Sequence, residues 1–117
     1  MRKKVRLVST MSLVVLMAFA TIEFGSSIAQ ETKLKGDSKA GESKAASCTT
    51  CHGEKGISEN TMWPNLAGQQ EGYLVKSITE FRDGIRTEVT MQTFVENLSD
   101  QHIADLAAYY NGLSPCP

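Results

Sequence analysis

Cys48-Thr49-Thr50-Cys51-His52 is the stretch on which the reading of this sequence turns. Two thiols separated by two residues and followed at once by an imidazole form the C-x-x-C-H pattern of covalent haem attachment. Thioether bonds from Cys48 and Cys51 would fix the two vinyl edges of one macrocycle, and His52 would stand beneath the iron as its proximal ligand. A zinc site would need a second ligand pair, yet only Cys116 and His102 remain, and they are not spaced as one. A thioredoxin-like redox pair should follow a strand in a βαβ pattern, which is missing here. A five-residue pattern also arises by chance, so the rest of the chain has to carry weight.

Outward from the motif, the periodicity is helical. Residues 38–47 are rich in Ala, Lys and Glu and suit a helix capped by Asp37 or Ser38, with Gly41 its only weak spot. A second helix is expected from about Gln70 to Arg82, where Leu74, Ile78 and Phe81 recur at i, i+4, i+7 and Gly84 stands ready to end it. A third should follow Ser99, a good N-cap, with Asp100 at the positive end of the dipole. Its stripe is Ile103, Leu106, Ala107 and Tyr110, and Gly112 and Pro115 stop it. No strand alternation of useful length and no internal repeat is found. The fold class is all-α, with helices joined by irregular stretches such as 53–68, rich in Gly, Ser, Asn and Pro. Long structureless stretches in a small domain usually wrap something.

The N-terminus points the chain out of the cytoplasm. Arg2, Lys3, Lys4 and Arg6 precede an apolar run of 16 residues, Leu7 to Ile22, and small residues follow, with Ser27 and Ala29 placed like a cleavage site. Residues 1–29 therefore read as a cleaved secretory signal peptide. The alternative, a membrane anchor, is disfavoured by length and by Ser9, Thr10, Ser12 and Thr21, since a span needs about 20 apolar residues. Residues 30–37 are polar and read as a flexible lead-in, 38–113 as the domain, and 114–117 as a short tail.

Cleavage would remove four of the 12 basic residues and one of the 13 acidic ones, leaving a net charge of −4. An acidic domain argues against nucleic acid, whose phosphates would repel it, and suits protein partners with basic patches. The 88 residues left bury a thin core and call for a staple. With three cysteines, two of them in the motif, a disulfide framework is a poor answer and a covalent haem a good one.

A protein ligand at the sixth iron position favours electron transfer, while a vacant one allows oxygen or peroxide chemistry. His102, in the first turn of the last helix, reads better as a solvated side chain. Met62 follows His52 by only ten residues and would need a nearly extended path to the opposite face. Met91 follows by 39, with a whole helix between, in what reads as a loop flanked by Thr90 and Gln92. The spacing favours Met91, whose neutral sulfur stabilises ferrous iron and raises the potential; ordinary core filling is the competing role for either methionine.

In these residues the sequence resembles the small monohaem class I cytochromes c of bacterial periplasms. Besides the motif and Gly53, the likeness runs through Trp63-Pro64-Asn65-Leu66-Ala67-Gly68-Gln69, Tyr73-Leu74-Val75-Lys76, Phe81-Arg82-Asp83-Gly84-Ile85-Arg86 and Leu98 to Tyr110. The resemblance implies N- and C-terminal helices crossing near the attachment site, with a third helix at the side. It implies that the Pro64 carbonyl accepts from Nδ1 of His52, that Met91 is the axial methionine, and that Arg86 approaches a haem propionate or else stays solvated. Trp63, Tyr73 and Phe81 would be haem-pocket packing. One haem c per chain would cycle between ferric and ferrous iron, exchanging electrons with redox proteins through an exposed haem edge, with no small-molecule substrate and no enzymatic activity of its own. A membrane complex is a possible donor or acceptor. The other readings are a dedicated electron-accepting subunit of a periplasmic enzyme or respiratory complex, and a haem-based sensor or peroxidase. Cys116, in the tail, has no evident partner; an intermolecular disulfide is one reading, and a free thiol without function is the favoured one.

Overall fold

In the computed structural model, residues 33–116 are described. The expected signal peptide, residues 1–29, lies outside them. Among the described residues five helices follow one another: α1 Ser38–Lys44, α2 Ala46–His52, α3 Glu71–Arg82, α4 Val89–Val95 and α5 Asp100–Asn111. No strand occurs among the described residues.

The helix expected over residues 38–47 is two helices. Asp37 caps α1, its carboxylate accepting from the Ala40 amide at 2.9 Å. At Ala45 the ladder tightens, because the Ala45 amide bonds back three residues to Glu42 rather than four. The turn that follows starts α2, which carries the whole Cys48–His52 motif.

Gly41, weak as a helix former, is where α1 meets α5. A Cβ there would run into the Asp105 carbonyl. Gly36 makes the same close approach to the Ala104 carbonyl. Glycine's cost in a helix, about 1 kcal/mol, is offset by the contact it permits. The crossing is fastened by Asp105, whose side chain is 5% exposed. It accepts from the Asp37 amide at 2.9 Å, from Gln101 Nε2 at 2.7 Å and from Lys44 Nζ at 3.2 Å. Gln101 Nε2 also donates to the Lys35 carbonyl. Polarity alone reads residues 30–37 as mobile, yet Lys35, Gly36 and Asp37 are tied to α5 by these contacts.

α5 packs in turn on α3, and α3 on α4. Ser99 caps α5 by accepting from the His102 amide. The central cluster joins Ala45, Leu74, Leu106, Ala107 and Tyr110. Four of the nine buried hydrophobic residues among those described are alanines, Ala45, Ala67, Ala104 and Ala107. At about 0.8 kcal/mol per buried carbon, so small a set of side chains leaves the core thin.

Arg82, at the end of α3, closes the segment that holds α4. Its guanidinium donates to the Leu98 carbonyl at 3.2 Å and to Asp100 at 2.6 Å, while Nε reaches Asp83 at 2.8 Å. The two carboxylates push the guanidinium's pKa further up.

Candidate haem site

On a helix, residues three and four apart share a face. The spacing of Cys48, Cys51 and His52 on α2 therefore brings both sulfurs and the imidazole to one side. All three line a cavity of about 720 Å³, which side chains from all five helices enclose. That volume lies within the range of pockets that enclose a cofactor. Leu66, Leu74, Ile78, Phe94, Val95 and Leu106 give it an apolar wall.

His52 is 5% exposed. Its Nδ1 lies 2.8 Å from the Pro64 carbonyl. A carbonyl can only accept, so Nδ1 carries a proton, and in the neutral ring Nε2 then keeps the lone pair that can bind a metal. Pro64 is held there by its loop. Gly56, at φ +71, sends its carbonyl to the amides of Leu66 and Ala67 at 2.8 and 3.0 Å. Ser58 donates its hydroxyl to the Cys51 carbonyl and its amide to Asn65. The irregular stretch is thus a pinned strap, with turns in place of a ladder.

Cys48 and Cys51 are partly buried and joined in no disulfide. Burial pushes the Cys48 thiol's pKa up. A pair of unpaired sulfurs, an imidazole with a bare nitrogen and a largely apolar hole fit a haem joined by two thioethers. A buried hydroxyl without a partner, on Tyr110, also faces this cavity.

Met91 lines the same cavity, half-buried. It stands on α4, not in a loop as the sequence suggests. Val89, Thr90, Thr93 and Val95 are β-branched and weak helix formers, and Glu is not among the preferred caps. Glu88 nevertheless caps the helix, accepting from the Met91 amide at 2.8 Å. The amides of Met91 and then Thr90 pull the Glu88 carboxyl below its usual range. Met62 lies at the cavity edge, 82% exposed. His102 is exposed on α5 and does not line the cavity. Arg86 lies at the cavity edge with its guanidinium carbon 4.3 Å from the centre of the Phe81 ring, a cation–π contact. Trp63, Tyr73 and Phe81 line the cavity. Cys116 is exposed, in the tail.

A helical frame that turns two thiols and one imidazole into an apolar cavity defines a protein built to hold haem covalently. The pattern of the family described as "Cytochrome c" matches residues 38–114, and the chain belongs to that family. It is 49% identical over 75 residues to cytochrome c4 of Pseudomonas aeruginosa, a match covering 64% of this chain and 37% of that protein. It is 44% identical over 79 residues to cytochrome c-554(548) of Halomonas halodenitrificans, covering 65% of this chain and 95% of that one. Reduced recombinant cytochrome c4 from Pseudomonas stutzeri has the same fold, with a TM-score of 0.65, 36% identity, and coverage of 68% and 46%. The chain therefore spans less than half the length of these cytochrome c4 relatives. A protein of Thiomonas intermedia, 38% identical over 73 residues (62% of this chain, 34% of that one), is named a thiosulfate dehydrogenase electron acceptor.

The chain has the class I cytochrome c fold and carries haem c in the motif of Cys48, Cys51 and His52.

Proposed function

We propose that this chain is a one-electron shuttle with His52 and Met91 as axial ligands, working in the periplasm between redox proteins and converting no substrate itself. Bound haem supplies an iron that changes between ferric and ferrous states. The observation that carries the ligand assignment is that His52 and Met91 line one cavity, the first with its Nδ1 proton committed to Pro64 and the second on a capped helix. Met62, far more exposed, is the weaker candidate. Fixed ligands keep the coordination alike in both oxidation states, which favours transfer over catalysis. Arg86, held over Phe81, is suited to neutralise a haem propionate at the rim.

A periplasmic setting is supported by the charged, apolar and small-residue order of residues 1–29. None of the helices among the described residues is long and apolar enough to cross a membrane.

The optical spectrum of the periplasmically expressed protein tests the reading. Low-spin haem with the weak near-infrared sulfur-to-ferric-iron band supports His–Met ligation. A high-spin spectrum without that band refutes it and favours a sensor or peroxidase.

A second reading, a dedicated acceptor for one enzyme, is favoured by the relative named a thiosulfate dehydrogenase electron acceptor. Co-purification with a single larger periplasmic protein would select it, and rapid exchange with several unrelated redox proteins would count against it.

A further inference from the structure

Tyr110 carries the one fully buried side-chain nitrogen or oxygen among the described residues that has no hydrogen-bond partner. The residue is 1% exposed and lines the cavity together with Cys48. A buried hydroxyl left unpaired costs about 1–3 kcal/mol, and phenylalanine would fill the same space without that cost. The ring has little freedom to turn away. Its Cδ1 and Cε1 pack on Gly56, where a Cβ would meet them at 3.0 and 3.2 Å. The Tyr110 carbonyl accepts from the Gly68 amide at 2.8 Å, and the Tyr109 ring lies 5.0 Å away, tilted by 59°. Burial first, and then the neighbouring Cys48 thiol, push the phenol's pKa up, so the hydroxyl remains a donor.

The Cys48 sulfur is the polar atom beside this hydroxyl. A thiol sulfur can both donate and accept, whereas a thioether sulfur keeps only lone pairs, so in the loaded protein the hydroxyl must be the donor of the pair. We propose that in the loaded protein the Tyr110 hydroxyl donates a hydrogen bond to the Cys48 sulfur, as a positioning residue that fixes this attachment point and raises the reduction potential. The inference rests on the reading of Cys48 as a haem thioether. A donor's positive end beside the haem edge favours the added electron, and the dry cavity screens that dipole weakly.

The test is Tyr110→Phe in the haem-loaded protein. Mass spectrometry first establishes the covalent adduct, which separates a failure of the attachment reading from a failure of this one. Spectroelectrochemistry then gives the midpoint potential. The expected result is a fall, with the ferrous-to-ferric ratio at fixed ambient potential reduced about three- to tenfold, tenfold being about 59 mV for one electron. Tyr109→Phe should leave the potential where it is. An unchanged potential in Tyr110→Phe overturns the proposal. If that variant does not mature, proton NMR of the ferrous wild-type protein decides. A slowly exchanging Tyr110 hydroxyl proton with Overhauser contacts to the Cys48 β-protons supports the bond, and the lack of one overturns it.

Discussion

The Glu88 carboxylate accepts a hydrogen bond from the backbone amide of Met91 at 2.8 Å. The side chain that starts α4 is thereby fastened to the residue proposed as the sixth ligand. Glu88→Ala should leave α1, α2 and α5 intact but loosen the first turn of α4. The near-infrared sulfur band should then vanish at a lower temperature than in the wild type, before the far-ultraviolet helical signal is lost. Simultaneous loss of both signals in the two proteins would show that the cap does not govern Met91.

Met91→Ala should remove the band altogether, convert ferric haem to high spin at neutral pH and let carbon monoxide bind the ferrous form. The potential should fall with the loss of the sulfur ligand. A variant with the parent's spectrum and potential would transfer the role to another residue, and Met62→Ala would then be the informative comparison.

Asp105 makes stability depend on acid. The Asp37 amide, then Gln101, then Lys44 hold its carboxyl below the usual carboxylate range. A carboxylate with a depressed folded pKa contributes stability above its unfolded value, about 3.9, and loses it as pH falls through the folded one. Asp105→Asn should cost about 2 kcal/mol at pH 7, in line with hydrogen bonds to a charged group. Its urea midpoint should then change less than the wild type's between pH 5 and pH 2, to be measured by urea denaturation at each pH. Equal acid slopes in both proteins would place the acid sensitivity elsewhere.

Gly41→Ala tests the crossing of α1 and α5. The new methyl group meets the Asp105 carbonyl, a backbone atom that cannot swing aside. Overpacking of this kind costs about 1–3 kcal/mol, against the ~1 kcal/mol that alanine returns in helix propensity. The net effect should be a lower melting temperature. A variant as stable as the parent would show that the two helices separate at little cost.

Arg82→Ala removes three hydrogen bonds, two of which tie the end of α3 to Leu98 and to Asp100 at the start of α5. Asp83 and Asp100 face water, so the global loss should be only about 1 kcal/mol, as for exposed pairs. Amide hydrogen exchange should report more, with faster exchange concentrated in residues 83–99.

What could be read from the residues differs along the chain for physical reasons. α3 and α5 announce themselves through Leu74, Ile78 and Phe81 and through Ile103, Leu106, Ala107 and Tyr110, because one face of each is apolar and the other is not. Cys48, Cys51 and His52 are equally plain, since their spacing serves little else. α4 is hidden by β-branched residues and an unusual cap, and it forms because it lies against α3. Glycine at 41 reads locally as a flaw, for nothing in a single sequence shows that Asp105 will lie against it. Tyr110 reads as one more apolar position of a stripe. Its unpaired hydroxyl exists only once burial is known.

The alanine-rich interior bears on how long the polypeptide survives. Lys44, Cys51, Leu74, Met91 and Leu106 come from five different helices and line one hole, so filling the hole is what knits the helices together. A chain awaiting its haem would leave Trp63, Phe94 and Met62 open to water, the condition that proteases recognise. The lifetime of the chain then becomes a gauge of haem delivery, and starving a cell of haem should thin out this protein without any change in its messenger.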